Sequence, residues 1–397
     1  MHEMLLFPLK PLLYLALFMS ISGCASKPEP ALKLAAPAAG AFPVKVLVAT
    51  TRRPSNDPAV LFSGERSLSP RLAHVTISVP KDRDAGEIIW PQGGQPDASR
   101  TFAATSFAAV PQEGNRKAIG EAIRMTGRDH VLVFVHGYNT RFDEAAFRIA
   151  QIVHDAHAPV TPVLFSWPSW GTLSAYPYDR ESAATARDGL EAVLMDLASD
   201  PAVKQVSVLA HSMGGWLTLE ALRQMAIRNK KIAPKIKDVM LAAPDVDVDV
   251  AMAQGRAILA ASPRPRLTLF VSSDDQALNV SRLVWGSRDR LGSFDPSKEP
   301  YRTNLAKNGV EVFDLTGQKG ISGEFNHNKF ATAPAIVGLI GQRLASGQRL
   351  HGDPTIGESA GSFAQGAVNV VGGVVTAPLR IVSGSSEPDA ERAAIAE

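Results

Sequence analysis

From His130 to Ala345 the chain alternates short apolar runs with longer helical stretches, and this alternation restricts the possible folds more than any other feature of the sequence. The strand-length runs are "HVLVFVHG", "TPVLFSW", "QVSVLAH", "IKDVMLAAP", "RLTLFVSS" and "GVEVFDL". Between and after them lie "FDEAAFRIAQIVHDA", "RESAATARDGLEAVLMDLAS", "GGWLTLEALRQMAIR", "DVAMAQGRAILAA" and "NKFATAPAIVGLIGQRLA", which carry helical spacing. Strands built of Val, Ile, Leu and Phe with little polar alternation are buried on both faces, as in a parallel sheet covered by helices. Upstream, "VKVLVAT" and "LAHVTISVP" read as extra N-terminal strands, "GEIIWP" as an extension of that sheet, "PQGGQPDASR" as a loop and "EGNRKAIGEAIRM" as a helix. The expectation is one α/β domain over residues 42–346, with a mostly parallel central sheet and helices on both faces. A chain of 397 residues has room for such a domain and appendages.

The ends differ in character. "MHEMLLFPLKPLLYLALFMSISGCAS" has a basic residue, Lys10, then an apolar run from Pro11 to Ile21, shorter than the roughly 20 residues of a spanning helix. Residues 1–23 therefore read as a signal peptide. The ending "ISGC" resembles the bacterial lipobox, which implies lipidation of Cys24, the sole cysteine. An ordinary secretory cut near Ala25 is the alternative. Ala25 stands where inner-membrane retention usually has aspartate, so the resemblance implies the outer membrane, facing the periplasm. Residues 24–41, rich in Ala and Pro, read as a tether. Residues 347–397 read as a low-complexity tail, or else as a weakly amphipathic segment resting on lipid. Net charge is +2, from 41 basic and 39 acidic residues, which gives no reason to invoke nucleic acid. No feature sets an oligomeric state.

Within the alternating region, "VLAHSMGGW" joins a strand to a helix through Ser212. That context suits a nucleophile elbow, whose tight turn demands small neighbours. Here they are Ala210, Gly214 and Gly215. The oxyanion-hole donors expected with such an elbow are the amide of the next residue, Met213, and one on the loop after "VFVHG", from Tyr138 or Asn139. His136 and His211 read as structural. Of the histidines after Ser212, His327 lies between the last strand and the last helix, and His351 lies beyond the core. His327 is thus the candidate base, needed because a serine hydroxyl is a poor nucleophile at its own pKa. Three aspartates at strand ends, Asp275, Asp274 and Asp245, compete to be the acid that orients it. Those not used are expected to cap helices.

Two further features carry alternatives. His154 and His157 sit three apart on one helix, but no carboxylate set completes a metal site, so no metal is expected. Trp167, Trp170, Tyr176 and Tyr178 either wall the mouth of the site or pack beneath a loop.

"VFVHGYNTRFDEAAFR", "LFSWPSWG", "YDRESA", "LAHSMGGWLTLEALR", "LAAPDVDVDV" and "SSDDQALNVSR" together resemble a bacterial esterase/lipase-like α/β-hydrolase family, formerly a domain of unknown function, with many lipoprotein members. The resemblance runs from about Val44 to about Leu344. It implies an α/β-hydrolase fold and a serine hydrolase with Ser212, Asp275 and His327 at the motif positions; "SSDDQAL" matches the family's S-x-x-D-x-A-L ending and so selects Asp275. No cofactor is implied. The stretch between "IKDVMLAAP" and "RLTLFVSS" is too short for a large lid. The partners implied are a small-molecule or lipid ester and a membrane held through the lipid anchor. An amidase or peptidase with the same triad, and a non-catalytic envelope scaffold of hydrolase fold, are the competing readings.

Overall fold

In the computed structural model the described residues are 27, 29–30, 32–111, 115–284, 288–318, 326–349 and 380–382. The expected signal peptide, Cys24 and most of the C-terminal tail lie outside them. The strands are β1 (Phe42–Pro54), β2 (Phe62–Val79), β3 (Ala103–Val110), β4 (His130–Val135), β5 (Thr161–Ser166), β6 (Gln205–His211), β7 (Ile236–Ala242), β8 (Arg266–Val271), β9 (Glu311–Asp314) and β10 (Arg380–Val382). They form a single sheet in the order β10-β9-β8-β7-β6-β4-β5-β1-β2-β3. Every pairing from β9 across to β1 is parallel. β2 runs antiparallel to β1, β3 to β2, and β10 to β9.

The helices are α1 (Asn115–Thr126), α2 (Phe142–Asp155), α3 (Tyr176–Ser199), α4 (Met213–Asn229), α5 (Val248–Ala260), α6 (Gln276–Val284), α7 (Tyr301–Asn308), α8 (Lys329–Thr332) and α9 (Pro334–Arg349). Alternate side chains of the central strands feed two apolar layers. Val131, Val133 and Val135 of β4 join α1, α3, α4 and α5 in one layer. Leu132 and Phe134 join α2, α8 and α9 in the other. This is the α/β-hydrolase fold, and it explains why these strands lack polar alternation: neither face meets water. Among the described residues no helix is long and apolar enough to cross a membrane.

The N-terminal part of the sheet differs from the sequence reading. Residues 86–91, "GEIIWP", form no strand. Gly86 adopts φ +91 and donates its amide to Asp155 Oδ2, while Trp90 packs its ring against Phe147 at 5.1 Å. The apolar side chains thus cover the core from a loop. The third N-terminal strand is β3, "AATSFAAV", whose alanines carry little strand propensity and gave no pattern to read.

The order of strands fixes where a site can form. β4 connects through α2 to β5 on one side of it, and β6 connects through α4 to β7 on the other. α2 and α4 lie on opposite faces of the sheet. Their divergence opens a crevice at the carboxyl ends of β4 and β6, the usual place for ligands in open α/β sheets. His136-Gly137 ends one of these strands and Ser212 the other.

Candidate active site

Ser212 is the single residue between β6 and α4. Its backbone sits at φ 53, ψ −124, outside the regions L-residues ordinarily occupy. Such a conformation costs about 1–3 kcal/mol and persists only where its surroundings enforce it. Here the Ser212 amide donates to Ala242 O on β7 (2.9 Å), and the Ser212 carbonyl accepts from Gly215 N (2.9 Å). The small neighbours have a measurable reason. A Cβ on Gly214 would lie 2.4 Å from His136 O and 2.7 Å from Val135 O. One on Gly137 would lie 2.9 Å from Ser212 Cβ and 2.9 Å from His211 Nδ1. The elbow and the loop after β4 therefore touch through glycines at both ends.

Asp275 follows β8 and is fully buried. Its Oδ1 accepts from Leu278 N in the first turn of α6 (2.9 Å), and its Oδ2 accepts from His327 Nδ1 (2.7 Å). Since a carboxylate can only accept, Nδ1 carries the proton, which gives the neutral ring a lone pair at Nε2. His327 stands in the turn before α8, its side chain 16% exposed. It reaches the elbow beside His211, with ring centroids 4.6 Å apart and His211 Nε2 at 3.3 Å from His327 O. Burial, and then the neighbouring His327, push His211 well below the ordinary histidine range, so it is neutral. It packs on Phe330 at 4.6 Å.

The other two aspartates are engaged elsewhere. Asp274 accepts from Lys329 Nζ at 2.6 and 2.8 Å and from Ser272 Oγ. Burial works to raise its carboxyl, but the bonds from Lys329 and Ser272 outweigh that and hold it below the usual range. Asp245 accepts from Arg290 Nε (2.7 Å), Ser281 Oγ (2.7 Å) and Tyr176 OH (3.0 Å). Neither caps a helix, contrary to expectation; each neutralises a buried cation instead, which an uncharged cap would not require. The cap of α5 is Asp247, bonded to Asp249 N and Val250 N.

Met213 opens α4, where backbone amides lack intrahelical acceptors. On the loop after β4, Asn139 N donates to Asp179 Oδ2 (3.1 Å). That bond commits the Asn139 amide and makes Tyr138 N the candidate donor on this loop. His136 is buried, stacked on Trp167 at 5.0 Å, and kept well below the ordinary range by burial and by Arg52. The aromatic loop divides its roles. Trp167 is fully buried and donates Nε1 to His136 O (2.8 Å). Tyr176 meets Tyr138 edge-on at 4.8 Å, while Trp170 is 48% exposed. Among the described residues no group of three His, Cys, Asp or Glu side chains could hold a metal; His154 packs on Phe42 at 4.8 Å. An apolar cavity of about 580 Å³ between α4, α5 and α7, lined by Leu219, Val248, Leu267 and Phe294 among others, includes none of these site residues.

Arg52, Ser169 and Asp179, which reach this loop from three segments, escaped the sequence reading. Arg52 showed only in "ATTRR", a basic pair at the end of an apolar strand, while Ser169 and Asp179 stand inside the family-like stretches "LFSWPSWG" and "YDRESA" without any role marked there.

Residues 112–343, more than half of the chain, match a family model described as "Alpha/beta hydrolase of unknown function (DUF900)". Similar solved structures include an esterase of Pyrobaculum calidifontis, 13% identical over 70% of this chain and 82% of that one with a TM-score of 0.34. Carboxyl esterase 2 of the mycorrhizal fungus Tuber melanosporum is 14% identical over 84% and 97%, with a TM-score of 0.39. A fungal esterase of Rhizomucor miehei is 13% identical over 88% and 94%, with a TM-score of 0.36. No curated protein matches the chain. With the family match spanning β4 to α9 and the crevice between them, the chain belongs to the alpha/beta hydrolase family of unknown function that this model describes.

Proposed function

We propose that the protein is a serine hydrolase of carboxylic esters. The observation that carries this reading is the 2.7 Å bond from His327 Nδ1 to the buried Asp275 carboxylate, with the His327 ring packed on His211, the residue before a serine held at positive φ on a strand-to-helix turn. In this reading Ser212 Oγ attacks the ester carbonyl carbon while His327 Nε2 takes the hydroxyl proton. Asp275 holds the imidazole in the tautomer that can accept and stabilises the imidazolium that forms. The carbonyl oxygen, now negative, is held by the amides of Met213 and Tyr138; one such donor is typically worth roughly 100- to 1,000-fold in rate. Collapse of the tetrahedral intermediate breaks the ester C–O bond, and His327 returns the proton to the departing alkoxide. Water, activated by the same imidazole, then hydrolyses the acyl-enzyme and frees Ser212.

The same proposal sets the enzyme on a bacterial envelope, at the outer membrane and facing the periplasm, through a lipid on Cys24. It is supported by the "ISGC" motif after a short apolar run. Paired turnover of p-nitrophenyl esters and p-nitroanilides by the purified protein tests the chemistry. Ester hydrolysis with anilides left intact is expected, faster anilide cleavage would favour an amidase, and turnover of neither would contradict the proposal.

A further inference from the structure

We propose that Arg52 and Asp179 are positioning residues that hold the backbone after β4 in the shape of an oxyanion-hole loop, an inference that rests on the serine-hydrolase reading above. Arg52 belongs to β1, sixty residues before the family match begins, and is 1% exposed. Its five N–H groups meet five acceptors. Nε donates to Ser166 Oγ (2.8 Å) at the end of β5. Nη1 donates to Ser63 O of β2 (3.3 Å) and Ser169 O (2.8 Å). Nη2 donates to Thr140 O (2.7 Å) and lies 3.4 Å from His136 Nε2. Burial brings the guanidinium down to about 10, opposed by Asp179, Asp143 and Glu144, so the side chain is a cation at neutral pH.

Asp179, at the start of α3, is fully buried and completes the frame. Its Oδ2 accepts from Asn139 N (3.1 Å) and Ser169 Oγ (2.5 Å), and its Oδ1 from Trp170 N (2.7 Å). Ser169 Oγ in turn accepts from Thr140 N (2.9 Å). The peptides on the far side of Tyr138 are thereby fixed by the Asn139 amide, the Thr140 amide and the Thr140 carbonyl. On the near side, His136 Nδ1 donates to Gly137 O (2.9 Å) while its Nε2 faces Arg52 and Ser166 Oγ (3.2 Å). The Tyr138 amide, between two pinned ends, has little freedom to turn away from the elbow. A guanidinium in so buried a place carries a desolvation cost that only well-made hydrogen bonds can offset. Apart from the one to Ser63 O of β2, its bonds serve residues that form or touch this one loop.

A purely structural network would lower stability when cut and leave the chemical step alone. A positioning network would lower kcat, because an oxyanion donor acts on the transition state more than on the bound ester. Ser169→Ala and Asp179→Asn remove links with the least change of shape; Arg52→Lys keeps the charge but brings three donors for five acceptors. For each variant that melts as a folded protein, kcat for a p-nitrophenyl ester is expected to fall on the order of 10- to 100-fold. KM should stay within about threefold, and fluorophosphonate labelling should slow in step with kcat. Folded Ser169→Ala and Asp179→Asn variants with wild-type kcat would overturn the inference, as would a raised KM at unchanged kcat. Should Arg52→Lys fail to fold, those two variants decide. A wild type that neither hydrolyses ester nor takes up label would instead overturn the serine-hydrolase reading itself, and the inference with it.

Discussion

Replacing Ser212 with alanine is expected to lower kcat for ester hydrolysis by on the order of a million-fold, the scale of nucleophile removal in serine hydrolases. The residue's backbone strain is set by the Ala242 carbonyl, the Gly215 amide and the glycine contacts, none of which involves its hydroxyl. Alanine can therefore occupy the same turn, and thermal stability should change by no more than about 1 kcal/mol. KM should change little, because the hydroxyl contributes to bond-making rather than to ground-state binding. Steady-state kinetics together with a thermal melt check both halves of the expectation. A large drop in melting temperature alongside lost activity would point to a structural serine instead.

Asp275→Asn is expected to lower kcat by about 10⁴-fold with the fold intact, the scale seen when the triad carboxylate of serine proteases becomes an amide. The physical cause lies in the tautomer. The carboxylate accepts from His327 Nδ1 at 2.7 Å, leaving Nε2 basic. An asparagine amide can turn its NH₂ toward Nδ1, whereupon the proton moves to Nε2 and the imidazole can no longer take one from Ser212. The second oxygen would still accept from Leu278 N and cap α6, so the variant keeps its local structure. Measuring kcat from pH 6 to 9 separates this from a simple weakening of the base. A wrong tautomer depresses the rate across the whole range, whereas a weaker base moves the profile along the pH axis.

The elbow was legible in the sequence because its requirements are local: a strand, a serine, Ala210 and Gly214, then a helix. The apolar runs likewise declared the sheet, since burial on both faces leaves a composition that one segment can display. Other parts depend on contacts the sequence does not order. Asp245, Asp274 and Asp275 all end strands in similar words, and only the family-like "SSDDQAL" favoured one. Space separates them by partner, Arg290 for Asp245, Lys329 for Asp274 and His327 for Asp275. The sequence puts Tyr138 only slightly ahead of Asn139, because the bond that commits the Asn139 amide comes from Asp179, forty residues on. Arg52 was illegible for the same reason. Three of its acceptors are backbone carbonyls of residues 63, 140 and 169, and carbonyls leave no mark on a sequence. β3 stayed hidden behind alanines, while the apolar letters of "GEIIWP" belong to a loop that covers the core.

Central to the whole account is a hydroxyl at residue 212 made nucleophilic by the imidazole of residue 327. Treating the purified protein with a fluorophosphonate and sequencing its peptides by mass spectrometry tests this most directly. The account predicts one phosphonyl group, on Ser212, absent when His327 is replaced by alanine. An adduct on another residue, or labelling of Ser212 that is indifferent to His327, would contradict it.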